Sequence, residues 1–188
     1  ARMLGGASRP TPEQAARTDA ERVAQAAARG PVAGAEALEQ AMRSNDDPAY
    51  RRVLAVAARP TVEALGQTLG SACFADDTQA RTLGPLARAA ELAGPEAKLG
   101  EALVAGMPRG SQDPGFVTAL GQGSSTPGGA RLGAEVSAAL GARGDHEAAQ
   151  QIATASPQLR ALTEVDQGAA AADAAVEVNG EASAEERA

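Results

Sequence analysis

The stretch DPAYRRVLAVAARPTVEALGQTLG, residues 47–70, decides the fold class. Asp47 can accept a hydrogen bond from a free amide of a first helical turn, and Pro48 takes the next position, where its missing N–H costs nothing and its fixed φ suits a helix. Tyr50, Val53, Leu54 and Ala57 then fall on one helical face, and Val62, Leu65 and Leu69 repeat the pattern beyond Pro60. The stretch therefore reads as a helix pair, or one helix kinked at Pro60, with a single apolar stripe. The same start recurs at Thr11-Pro12, Asp113-Pro114, Thr126-Pro127 and Ser156-Pro157, so five of the eleven prolines mark helix N-termini. Asp113-Pro114 with Phe116 and Leu120 repeats Asp47-Pro48 with Tyr50 and Leu54, which we read as reuse of one cap-and-stripe chemistry rather than internal duplication.

Working outward, a helix is expected from Thr11 to Arg29, its Gln14 returning a bond to the cap, and a second near Ala35–Ser44. Asp77 is expected to cap a helix that Pro85 kinks or restarts, and Gly94-Pro95 to open another that runs to Met107. Cys73 and Phe74 read as a plug under the end of the central helix. The longest loop is expected at Gly121–Gly129, followed by helices over Thr126–Leu140, His146–Ala155 and from Ser156-Pro157 onward. Nothing alternates apolar and polar residues over a useful length, so no sheet is expected. The expected fold is all-α, a bundle or short solenoid of about eight to ten short helices. Residues 1–10 form an irregular lead-in, 11–166 a single helical domain, and 167–188 a flexible, acidic, alanine-rich tail.

Composition sharpens this picture. Forty-eight of the 188 residues are alanine, whereas Leu, Ile, Val and Phe together number 29, a share below the roughly 20% that marks a highly charged chain as disordered. Alanine is the best helix former, and residues 1–160 balance 17 acids with 16 bases, so a thin core is expected in which small side chains let helices approach closely. Seven acids and one base fall in residues 161–188, which concentrates the net charge of −7 at that end and argues against a nucleic-acid groove. No apolar run approaches the roughly 20 residues of a membrane span, and no export signal is visible, which leaves a cytoplasmic or a secreted location open.

Chemistry-bearing residues are few. His146 is the single histidine, and its neighbours Asp145 and Glu147 project in other directions on a helix, so an exposed first-turn role explains it. Cys73 is the single cysteine, which excludes an intrachain disulfide, and it reads as a small buried hydrophobe. The pairs Asp46-Asp47 and Asp76-Asp77 sit where helix starts want caps. Gly123 to Gly128 has the glycine spacing of a phosphate-binding loop, but Gly129 and Ala130 stand where its lysine and its magnesium-holding hydroxyl would be. No catalytic, cofactor or metal residue is assigned. The expected function is a non-enzymatic interaction or scaffold module, with Tyr50, Leu54, Leu65 and Leu69 in its core and any exposed remainder of that stripe as a docking surface. Its partner would be a protein or a second copy, the latter making it a self-associating structural protein. The rival is a small enzyme or ligand-binding domain that gathers Cys73, His146 or the Gly121–Gly129 loop.

Two family resemblances add to this. Gly144-Asp145-His146-Glu147-Ala148-Ala149, within residues 139–155, resembles the inter-helix turn of a tetratricopeptide repeat and implies a tightly packed helix hairpin. The Asp-Pro-x-aromatic starts, Leu-Gly helix ends and Ala/Leu faces of residues 45–141 resemble the helical regions of large secreted bacterial toxins and effectors. That resemblance implies a delivery or scaffold segment.

Overall fold

A computed structural model describes residues 9–71, 77–110, 113–162 and 164. Among these, the elements are α1 (Pro12–Ala27), α2 (Pro31–Ser44), α3 (Pro48–Ala57), α4 (Arg59–Ser71), α5 (Thr78–Ala93), a 3-10 turn (Pro95–Ala97), α6 (Leu99–Gly106), α7 (Pro114–Gly123), α8 (Pro127–Ala142) and α9 (His146–Ala153). A last helical stretch covers residues 157–162, and no strand occurs among the described residues. Helices α2, α5, α8, α6 and α4 form a closed circuit of packed neighbours, with α1 and α3 set against one side and α7 and α9 against the other. Partners are often several elements apart in sequence, so the fold is a bundle rather than a solenoid of successive repeats.

The proline starts work as their chemistry requires. The side chains of Thr11, Asp47, Asp113, Thr126 and Ser156 each accept from a backbone amide of the turn that follows. Thr11 completes a reciprocal box, its own amide donating to Gln14 Oε1 at 3.0 Å. Other expectations are corrected. The second helix begins at Pro31, because proline at the first position needs no donor even though Gly30 offers no side-chain cap. Asp77 makes no side-chain cap bond, and α5 does not restart at Pro85, which lies buried within it. The helix expected from Pro95 to Met107 is broken at Lys98, the one non-glycine residue with positive φ (+48°) among those described. A left-handed residue cannot continue a right-handed helix, so α6 starts afresh at Leu99.

The stripe of residues 47–70 is interior. Tyr50, Leu54, Val62, Leu65 and Leu69 are buried in one cluster that runs from Ala16 to Leu159, and Ala58 separates the helix pair α3 and α4. The Tyr50 hydroxyl donates to Asp19 Oδ2 at 2.6 Å, tying α3 to α1, and burial with the adjacent carboxylate pushes its pKa up to about 12. Val53 and Ala57 of the same face are half-buried against that cluster, and Val56, 73% exposed, lies off the stripe.

The thin core is offset by close backbone approach. A Cβ on Gly66 would sit 1.8 Å from the Leu103 carbonyl oxygen, and one on Gly106 would sit 1.7 Å from that of Glu63. Helices α4 and α6 therefore meet almost backbone to backbone, gaining in dispersion what large side chains elsewhere provide. Between α2 and α5, the buried Glu39 carboxylate accepts from Arg88 at 2.7 and 2.9 Å and also from Arg43. The Arg88 hydrogen bond outweighs desolvation and, with the charges of Arg88 and Arg43, holds Glu39 below its usual pKa.

Candidate docking groove

Helix α8 is apolar on two faces. Leu132, Val136 and Leu140 point into the core, as the spacing predicts. On the other side a row of alanines recurs at every fourth position, from buried Ala130 through half-buried Ala134 to exposed Ala138 and Ala142, where a solvated helix would carry charge. They line a groove of about 990 Å³ between α8 and α6. Val104 and Ala105 form the opposing wall, and Leu162, 41% exposed, stands at its margin. Lys98, Glu101, Arg131, Glu135 and Arg143 add charge around the alanine surface.

The walls are fixed by two side chains, one from α8 and one from the residue that caps it. Lys98 cannot cap α6, having no acceptor, and Glu135 does so from outside: its Oε2 accepts from the Gly100 amide at 2.9 Å. Burial pushes the Glu135 pKa up, and the Gly100 hydrogen bond opposes that rise. At the other end of α6, Arg143 Nη1 donates to the carbonyls of Val104 and Met107, each at 2.8 Å, and Nη2 to that of Pro108 at 2.8 Å. Arg143 Nε also meets Asp145 Oδ2 at 2.5 Å. An anion at the N-terminus and a cation at the C-terminus both match the helix dipole. Because residues 135 and 143 reach the first and last turns of α6 respectively, the two helices run side by side in the same direction.

Arg143 is positioned by the turn that follows it. The Asp145 amide donates to the Leu140 carbonyl at 2.9 Å and the Gly144 amide to that of Gly141 at 3.1 Å, with Gly144 at φ +95°. This paired closure ends α8 and reverses the chain into α9, giving the helix hairpin expected over residues 139–155.

The residues singled out for chemistry are not gathered in this groove. His146 is exposed at the start of α9. Cys73, Phe74 and Asp76 lie outside the described residues, as does the tail expected at 167–188. The Gly121–Gly129 loop is corrected: α7 continues to Gly123 and α8 begins at Pro127, leaving residues 124–126 between them. Glycine serves close packing there, since a Cβ on Gly128 would sit 2.5 Å from the Ala87 carbonyl oxygen and one on Gly129 would sit 1.9 Å from that of Gly123. Ser124 Oγ bonds Ser156 Oγ at 2.6 Å within the interior, closing the turn onto the last helical stretch. The length of α9, about 12 Å, separates His146 from that turn. Among the described residues, no three His, Cys, Asp or Glu side chains gather as a metal set, and no helix is long and apolar enough to cross a membrane.

Sequence alone hides the groove, because alanine serves equally well as helix filler. The one signal it carries is the period-four alanine row on the side of α8 opposite its leucines. No protein-family model, no characterised protein and no solved structure matches this chain.

Proposed function

We propose that the chain is a non-enzymatic helical interaction module whose docking surface is the groove between α6 and α8. The observation that carries the reading is the second apolar face of α8. It gives an alanine row about 18 Å long from Ala130 to Ala142, at roughly 1.5 Å per residue, along which small side chains leave room for the large apolar anchors of another helix. Its walls are held by hydrogen bonds to both ends of α6, so little ordering is needed on binding. A partner helix with leucines at i, i+4 and i+7, flanked by acids that meet Arg131 and Lys98, suits the surface. The test is an NMR titration of the alanine-labelled full chain with a synthetic peptide of that design. Shifts confined to Ala105, Ala130, Ala134 and Ala138 support the reading. Shifts centred on the clefts beside α1 or α9, or none, reject it.

A further inference from the structure

From the one uncommitted charge on the groove we infer that its partner binds with a fixed polarity: the C-terminal end of an amphipathic helix, finishing in a free carboxylate, sits on Arg131, and that helix runs antiparallel to α8. This rests on the groove being a docking surface and adds which end of the partner it reads. Arg131 is half-buried in the groove wall near the N-terminal end of α8, and it makes no ion pair with any described residue. The other charges on the groove are committed. Glu101 meets Arg59 at 3.0 Å and Lys98 at 3.7 Å, and Glu135 accepts from the Gly100 amide at 2.9 Å. Arg143 serves three carbonyls and Asp145. Both helix N-termini at the Arg131 end are closed as well, α8 by the Thr126 hydroxyl and α6 by Glu135. The groove therefore presents one guanidinium, a fork of five donors, at the head of an alanine surface.

Only one terminus of a helix fits such a group. The last four carbonyls have no partner within the helix and carry the negative end of its dipole, and a terminal carboxylate adds a bidentate acceptor. The first turn offers amides instead, which a guanidinium cannot accept from and whose positive end it repels. Arg143 shows the pairing within this molecule, meeting the carbonyls at the end of α6 at 2.8 Å. Because α6 runs parallel to α8 and ends at Arg143, a helix ending at Arg131 must run the opposite way. From there it passes Ala134 and Ala138 toward Val104 and Leu162, the apolar half of the groove. The span from position 131 to position 142 is about 17 Å, which takes about eleven residues of the partner.

The test adds the leucine-striped peptide to the alanine-labelled full chain, with a nitroxide on a cysteine near one end of the peptide or the other. A label near the C-terminus is expected to broaden Ala130 most, and a label near the N-terminus to broaden Ala105 and Ala142. In parallel, the peptide with a free carboxylate is expected to bind about tenfold more tightly than its C-terminal amide, a preference that Arg131→Gln abolishes. The label experiment needs no substitution in the chain, so it decides the polarity whatever the variant's stability. Reversed broadening, equal broadening from both labels, no preference for the carboxylate, or a preference that survives Arg131→Gln would overturn the inference. In each of these the groove alanines still respond, so the docking reading stands; if they respond to no peptide, both fall.

Discussion

Glu135 of α8 and Arg143, the residue that caps α8 eight positions later, close opposite ends of the same neighbouring helix. Eight residues advance about 12 Å, the same length as the eight residues of α6, so a carboxylate on α8 and a guanidinium at its end reach both termini of the other helix. This relationship fixes the groove walls, and its two members should respond differently to substitution.

Replacing Arg143 with glutamine removes the guanidinium that donates to the carbonyls of Val104, Met107 and Pro108, three acceptors that a single amide cannot serve together, although the Met107 amide still reaches Val104. A loss of about 2–3 kcal/mol is expected in urea unfolding. Arg143→Lys should recover less than half of it, because a point charge lacks the fork that meets carbonyls and Asp145 together. Full recovery by lysine would mean that charge at the helix end, not geometry, matters.

Glu135→Gln retains an acceptor for the Gly100 amide, whereas Glu135→Ala removes it, so alanine should cost about 1 kcal/mol more than glutamine. The raised folded pKa makes the native state bind more protons than the unfolded chain just above pH 4.5. Stability from this group therefore declines as pH rises from its ordinary value through the raised one, and the glutamine variant should lose that part of the slope.

Glu39 carries the opposite sign. Its pKa is lowered from 4.5, first by the Arg88 hydrogen bond, so its contribution is fully present above that value and is lost as pH falls through the lowered one. Acid titration of stability should show this loss in the native chain and not in Glu39→Gln. At neutral pH, Arg88→Met should cost about 1–2 kcal/mol, toward the lower end of charged hydrogen bonds because Arg88 is half exposed.

The glycines divide by what surrounds them. Gly66→Ala and Gly106→Ala drive a methyl into a facing carbonyl and should each destabilise by about 3 kcal/mol or more, or prevent folding. At Gly141 an added methyl would find its nearest neighbour 3.9 Å away, so alanine there should gain about 0.5–1 kcal/mol through helix propensity alone. Thermal unfolding of the three variants would order them; a destabilised Gly141→Ala would place that helix differently.

Much of the fold was legible because a cap and a proline act locally: the side chains of Asp47, Thr126 and the other three need only the next turn to show their effect. Leu54, Leu65 and Leu69 were legible by period. What sequence hid depends on distant partners. Lys98 adopts positive φ while α6 takes its cap from Glu135, thirty-five residues away from Gly100. The glycines of 121–129 look like a flexible loop until the Ala87 and Gly123 carbonyls press against two of them. The groove itself is written in alanine, which has the same appearance in a solvated helix and in a packing face.

Calorimetric titration of the full chain and three variants with the acidic, leucine-striped helical peptide addresses the docking claim most directly. Native chain and Gly141→Ala should bind alike, while Ala138→Glu, which sets a charge in the trough, and Arg143→Gln, which frees one wall, should each weaken binding about tenfold or more. Equal affinity across all four proteins, or no binding to any, would contradict it.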